Sequence, residues 1–319
     1  MDIFNGLPSI EDGIYKFSTN PSYWNLLTQD ESQEFLKDVN EHGWKKAILQ
    51  STLSKVRNLY NFTECIPRAD SSFYLNLTRD SVVLDAGSGW GNYSFAISPR
   101  VKHVVAADSS FESLRFVNYR VQQDKIENIS PVFIDPLDYA KLPFIDGIFD
   151  AAIFNGVLEW VGSFLKSGDP LKIQQKCLKE VNRILKNEGQ IFIAIENRFG
   201  LNYFEGKPDD HTKYYRPEGL KYTTLLPRFI SNWISKKHLG VPYRTYTHSL
   251  WGIKRMLRKA GFKNIKAYWP DPDYRSVYMA IYPINANEIK NRLKKRLRFF
   301  SWIPFKYFLC DSFIIIASK

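Results

Sequence analysis

Ten residues constrain this chain more than any others: Val82-Val83-Leu84-Asp85-Ala86-Gly87-Ser88-Gly89-Trp90-Gly91. An apolar run of strand length meets a glycine-rich turn, and a helical stretch follows. Glycine allows such a turn and lets a ligand approach the backbone with no Cβ in between. Spacing excludes two common phosphate loops. A dinucleotide fingerprint, G-x-G-x-x-G, needs glycine where Asn92 stands, and a P-loop needs a G-K-[ST] that is missing here. What remains is D-x-G-x-G-x-G, running from Asp85 through Gly87 and Gly89 to Gly91.

From residue 81 onward, short apolar runs alternate with longer helical stretches, the pattern of βαβ units around a mostly parallel sheet. Strands are expected at Val82–Ala86, His103–Asp108, Ile129–Asp135, Phe149–Asn155 and Gln190–Glu196. Helices are expected at Tyr93–Ser98, Phe111–Asp124 and Leu171–Leu185, with a weakly patterned one from Leu142. The third of these should stop at Gly189, after a basic last turn. A helix at Leu250–Ala260 and strands at Asn264–Trp269 and Ser312–Ser318 complete the alternation. Residues 1–78 read as an N-terminal helical cap, with helices near Asp30–Val39 and Trp44–Leu59. Residues 79–319 read as one α/β domain of Rossmann-like sandwich type, carrying two insertions, 199–245 and 271–311. Both are longer than ordinary connections, which suits substrate binding.

Composition narrows the class. Hydrophobic residues make up 44% and charged residues 24% of 319, ordinary values for a globular protein. No secretory leader stands out, and no apolar run approaches the roughly 20 residues a membrane helix needs. Cys65, Cys177 and Cys310 are odd in number and without metal-type spacing, so neither a disulfide framework nor a metal is expected, and a reducing cytoplasm fits. The net charge of +11 is concentrated: residues 220–319 hold 20 Lys+Arg against 4 Asp+Glu.

In open α/β sheets, ligands bind outside the carboxyl ends of the strands. Asp108 closes the second expected strand, where a carboxylate accepts hydrogen bonds from ribose hydroxyls; its plainer use is to cap the next helix. Asp135 closes the third, within reach of an adenine amine, with Asp138 as the alternative beyond Pro136-Leu137. Asn155 closes the fourth, and Glu159 follows it.

These features resemble bacterial class I methyltransferases of the methyltransferase-11/25 type. The resemblance rests on Val82–Gly91, on Leu142-Pro143-Phe144 before Phe149-Asp150, and on Glu180–Gln190. It covers residues 80–200 and 247–270. A narrower similarity, to a subgroup associated with surface-polysaccharide gene sets, rests on Asn155–Gly162, Ile195–Leu201 and Pro208–Thr212. The resemblance implies S-adenosyl-L-methionine as cofactor, bound at positions matching Asp85, Gly87, Gly89, Asp108 and Asp135; Gly91 and Asn155 join this set from the loop and strand readings. The pattern departs from the family at Leu137–Ala140.

Methyl transfer from a sulfonium needs a base only when the acceptor must lose a proton. His211, Glu159 and Glu196 are the catalytic candidates, with His211 in a polar loop where a neighbouring carboxylate orients the ring. Asn197, Arg198 and Asp210 are candidates for acceptor binding, Arg198 suiting a carboxylate or phosphate. The resemblance implies a small or saccharide-type acceptor, a hydroxyl in glycan biosynthesis, anionic or lipid-linked. Two other functions stay open: RNA methylation guided by the basic third, and a SAM-binding module without catalysis. Ile289, Leu293, Leu297 and Phe300 form one helical face among six basic residues, so 289–303 is a candidate contact with the inner face of a membrane, an anionic glycan lipid or RNA.

Overall fold

The computed structural model describes residues 3–17, 27–64, 66–135, 138–165, 167–276, 280–284, 286–287 and 306–319. The strands are β1 (Ser9–Glu11), β2 (Ile14–Lys16), β3 (Val82–Ala86), β4 (His103–Asp108), β5 (Ile129–Phe133), β6 (Phe149–Asn155), β7 (Leu185–Glu196), β8 (Pro208–Asp209), β9 (Leu220–Lys221), β10 (Lys263–Asp271), β11 (Ala280–Pro283) and β12 (Ser312–Ser318). The helices are α1 (Gln29–His42), α2 (Trp44–Gln50), α3 (Thr52–Arg57), α4 (Tyr60–Thr63), α5 (Asn92–Ile97), α6 (Phe111–Gln123), α7 (Pro170–Ile184), α8 (Leu201–Phe204), α9 (Arg228–Leu239) and α10 (Leu250–Lys259).

Ten strands form one sheet, in the order β1-β2-β5-β4-β3-β6-β7-β12-β10-β11. The block from β2 to β7 is parallel, and β12 enters antiparallel between β7 and β10. Parallel strands buried on both faces read as continuous apolar runs. Val83 and Leu84 of β3 are accordingly both fully buried, facing two separate apolar clusters. The chain leaves β3 for β4 and β5 on one side, then returns to place β6 on the other. That reversal opens a crevice beyond the ends of β3 and β6.

Four strands (β3, β4, β6 and β12) have the expected bounds, and the other differences have local causes. The helix before β7 ends at Ile184, not at Gly189, because Leu185 is already extended and pairs with Phe149. A Cβ on Gly189 would lie 2.8 Å from the Lys186 carbonyl oxygen, so the glycine serves a tight strand irregularity. Leu142–Ile145 is not helical; Phe144 bridges Phe4 instead. The stretch Trp44–Leu59 breaks at Ser51, whose hydroxyl accepts from the Ser54 N–H and starts α3. The first 78 residues are not purely helical, since β1 and β2 form a hairpin that joins the sheet edge beside β5. From Gln29 the segment is helical, and Phe35 of α1 packs with Trp90 and Phe116. Among the described residues no helix is long and apolar enough to cross a membrane. Residues 289–303, the expected basic amphipathic helix, lie outside the described residues, as does Cys65.

Candidate active site

The crevice is a cavity of about 360 Å³, within the roughly 300–1,000 Å³ of small-molecule sites. One end is built by the glycine loop. Gly87 has φ +68°, and a Cβ there would collide with Val157 Cγ2, so both backbone and space demand glycine. Gly89 has φ +52° and nothing within 4 Å of where a Cβ would stand, leaving its backbone open to the cavity. The Gly87 and Ser88 N–H groups both donate to the Ala107 carbonyl, tying the loop to β4. Asp108 completes the tie: Oδ2 accepts from the Gly89 N–H and Oδ1 from the Ser110 N–H, each at 2.7 Å. Burial raises the Asp108 carboxyl above its usual range, and these N–H groups partly offset it. Asp85, also buried, accepts from the Ser94 hydroxyl at 2.6 Å; burial pushes its carboxyl up to about 7 despite that bond. Asn155 Oδ1 and Ser88 Oγ are buried without a hydrogen-bond partner among the described residues, although both residues line the cavity.

At the other end three elements converge: the turn after β6, the end of β7, and the first insertion. Asp209 caps the short 3-10 turn Asp210–Tyr214, and its Oδ1 accepts from the His211 backbone N–H and faces His211 Nδ1 at 2.9 Å. Its Oδ2 accepts from Tyr243 and Thr223 hydroxyls. Held this way, His211 turns Nε2 toward Glu159 Oε1 at 3.8 Å and Glu196 Oε2 at 3.6 Å, with its ring edge-on to Trp160. Burial alone would pull the imidazole down, but Glu196, Asp209 and Glu159 more than reverse this and hold it well above its usual range. Burial pushes the Glu159 carboxyl up to about 7, with the nearby His211 imidazole opposing the shift and the charge on Glu196 adding to it. Arg275 Nη1 lies 3.2 Å from Glu196 Oε1 and 3.0 Å from Asp210 Oδ2. Burial disfavours charge on Asp210, yet Lys213, Arg275 and Lys207 draw its carboxyl down to about 2.

Nine of the thirteen expected site residues line this one cavity: Asp85, Gly87, Gly89, Asp108, Asn155, Glu159, Glu196, Asp210 and His211. Four do not. Gly91 caps α5, and a Cβ there would strike Phe95 at 2.8 Å, so packing accounts for it. Asp135 is buried and is not among the residues lining the cavity, whereas Tyr139 is. The side chain of its alternative, Asp138, falls outside the described residues. Asn197 is fully buried and donates through Nδ2 to the Phe308 and Cys310 carbonyls, anchoring β12. Arg198 donates to the Thr224 and Leu226 carbonyls and so braces the insertion. Tyr274 and Arg275 were not anticipated, because they sit in an irregular segment without periodic signal. The neighbouring carboxylate expected to orient the His211 ring is Asp209, two residues before it, the spacing of an Asx turn.

Residues 84–193 match the family model described as a methyltransferase domain. The glycine loop is open to a ligand: an uncovered Gly89 backbone, a carboxylate at the end of β4, and two unpartnered polar atoms facing one cavity. No curated protein matches the sequence. Among solved structures, a SAM-dependent methyltransferase from Thermotoga maritima is 14% identical, with a TM-score of 0.50 over 84% of this chain and 96% of its own. That likeness shows the Rossmann-like methyltransferase fold. Phosphoethanolamine N-methyltransferase 2 of Haemonchus contortus, in complex with S-adenosyl-L-methionine, is 15% identical, with a TM-score of 0.49 over 89% of this chain and 60% of its own.

Proposed function

We propose that this methyltransferase methylates a hydroxyl of a small, saccharide-type acceptor admitted beside Glu159, Glu196 and His211. One observation carries the reading: the glycine loop and a buried acid–imidazole cluster open into the same cavity. A neutral amine or thiolate needs no proton acceptor in the transition state, whereas an alcohol does. A cluster of two glutamates and a carboxylate-oriented histidine supplies one. S-adenosylmethionine, when bound, supplies a methyl carbon already activated by its sulfonium. The chain's own part is then placement and proton removal. Placement contributes on the order of 7–11 kcal/mol in the best intramolecular cases.

In this reading Asp85, Gly87, Gly89, Asp108 and Asn155 hold the cofactor. Arg275 and Asp210, an ion pair on the cavity wall, meet the polar or anionic groups of the acceptor, and Trp160, Phe164 and Tyr274 give it apolar faces. The buried free thiols of Cys177 and Cys310 suit a reducing cytoplasm. The test is incubation with methyl-labelled cofactor and a cell extract divided into lipid, glycan and RNA fractions. Label is expected in the glycan or glycan-lipid fraction as a base-stable methyl ether. Label confined to RNA, or to an amine, overturns the acceptor.

A further inference from the structure

We infer that Glu159, Glu196 and His211 form a binding site for one divalent first-row cation at the acceptor end of the cavity. Three donor atoms, one from each residue, lie within 4.8 Å of one another and come from three separate elements. Metal bonds of about 2.1 Å at angles of 90–120° place donor atoms roughly 3.0–3.7 Å apart. His211 Nε2 stands 3.6 and 3.8 Å from the two carboxylates, near that spacing. An imidazolium bonded to a carboxylate would close to about 2.7–2.9 Å, as His211 Nδ1 does with Asp209.

A second observation concerns the hydrogen bonding of the two carboxylates, of which Glu159 Oε2 enters neither of the His211 distances. Glu159 Oε2 and Glu196 Oε2 are buried with no hydrogen-bond partner among the described residues, on side chains 1% and 7% exposed. Buried carboxylate oxygens left so cost free energy that a bound cation removes. The surroundings also suit a ligating histidine, whose far nitrogen ordinarily donates to a carboxylate; here Asp209 takes that place, itself steadied by Tyr243 and Thr223. Charge is consistent: two glutamates neutralise a divalent ion, and Arg275, which bridges Glu196 Oε1 and Asp210 Oδ2, is shared between a ligand carboxylate and Asp210. One imidazole with two carboxylates favours Mn²⁺, Fe²⁺ or Zn²⁺ over purely oxygen-seeking Ca²⁺. The sequence shows no metal-type spacing because the three donors are brought together only by the fold.

The ion site stands whatever the acceptor is. A further consequence rests on the acceptor proposed above: a hydroxyl joining the ion would be made more acidic by its charge.

The test uses the full chain, stripped with a chelator and titrated with MnCl₂ without cofactor or acceptor. Electron paramagnetic resonance follows the loss of free Mn²⁺ and the nitrogen modulation on the bound ion. We expect one ion per chain, coupling from a single imidazole nitrogen, and binding at least about tenfold weaker in Glu159→Gln and Glu196→Gln. Absence of bound Mn²⁺, bound Mn²⁺ without nitrogen coupling, or unchanged affinity in both variants overturns the site. The wild-type nitrogen signal decides the matter even should a variant not fold. Failure here leaves methyl transfer standing, and failure of transfer to glycan leaves the ion site standing.

Discussion

The Gly89 N–H donates to Asp108 Oδ2 at 2.7 Å, so the residue expected to grip the cofactor's ribose also fixes the loop that receives the cofactor. A carboxylate oxygen accepts more than one hydrogen bond, and both uses are compatible. Asp108→Ala should therefore weaken binding of S-adenosylhomocysteine by about 1–3 kcal/mol, the cost of orphaned partners. Calorimetric titration checks this, and unaltered affinity would show that the loop works without it.

Gly87→Ala should destabilise the protein twice over. Alanine at positive φ costs about 1–2 kcal/mol, and the overlap with Val157 adds about 1–3 kcal/mol. In urea melts, adding Val157→Ala should restore only the second part. Full recovery would mean that backbone conformation at 87 is of no account.

Glu159→Gln keeps the shape of the cavity and removes the carboxylate. Turnover of labelled methyl into the acceptor fraction should fall by about 10²–10⁴, while calorimetric affinity for S-adenosylhomocysteine stays within a few-fold. Equal turnover in the variant would remove Glu159 from the chemistry.

His248 gives the acid limb of stability a specific origin. Burial, with added repulsion from Arg228 and Arg198, draws its imidazole down to about 3, while Nε2 meets Gln174 Oε1 at 2.8 Å. The unfolded chain binds this proton below about pH 6.5 and the folded one does not. The contribution is therefore whole above pH 6.5 and declines as pH drops toward 3. Asp85 and Glu159, with folded values raised to about 7, push the other way, gaining stability as pH falls from 7 toward 4. Comparing wild type with His248→Gln cancels those shared terms. Urea unfolding at pH 7.5 and 5 should show a pH effect that differs between the two by about 2 kcal/mol. Identical differences would mean that His248 titrates normally.

Much of this architecture was legible along the chain, and what was missed has physical reasons. The β3 and β4 strands are buried on both faces, so their apolar runs are unbroken and their ends marked by Gly87 and Asp108. The β1–β2 hairpin was overlooked, although Asp12-Gly13 is a favoured hairpin turn, because three-residue strands carry almost no period. Glu159, Glu196, Asp210 and His211 were legible as chemistry-bearing residues at strand ends and in a polar insertion. Their meeting was not, since nothing local encodes how 199–245 folds back over β7. Asn197 and Arg198 show the converse: polar side chains at a strand end, spent entirely on bracing backbone.

The antiparallel β12 lies inside the sheet, with Ser312 opposite Glu196 and hydrogen-bonded neighbours on both flanks. During synthesis β7 must therefore wait, one edge bare, until more than a hundred further residues have been made. The wall bearing Glu196 cannot settle before that late strand slots in, so the glycine-loop end of the crevice is complete well ahead of the end that carries Glu159, Glu196 and His211.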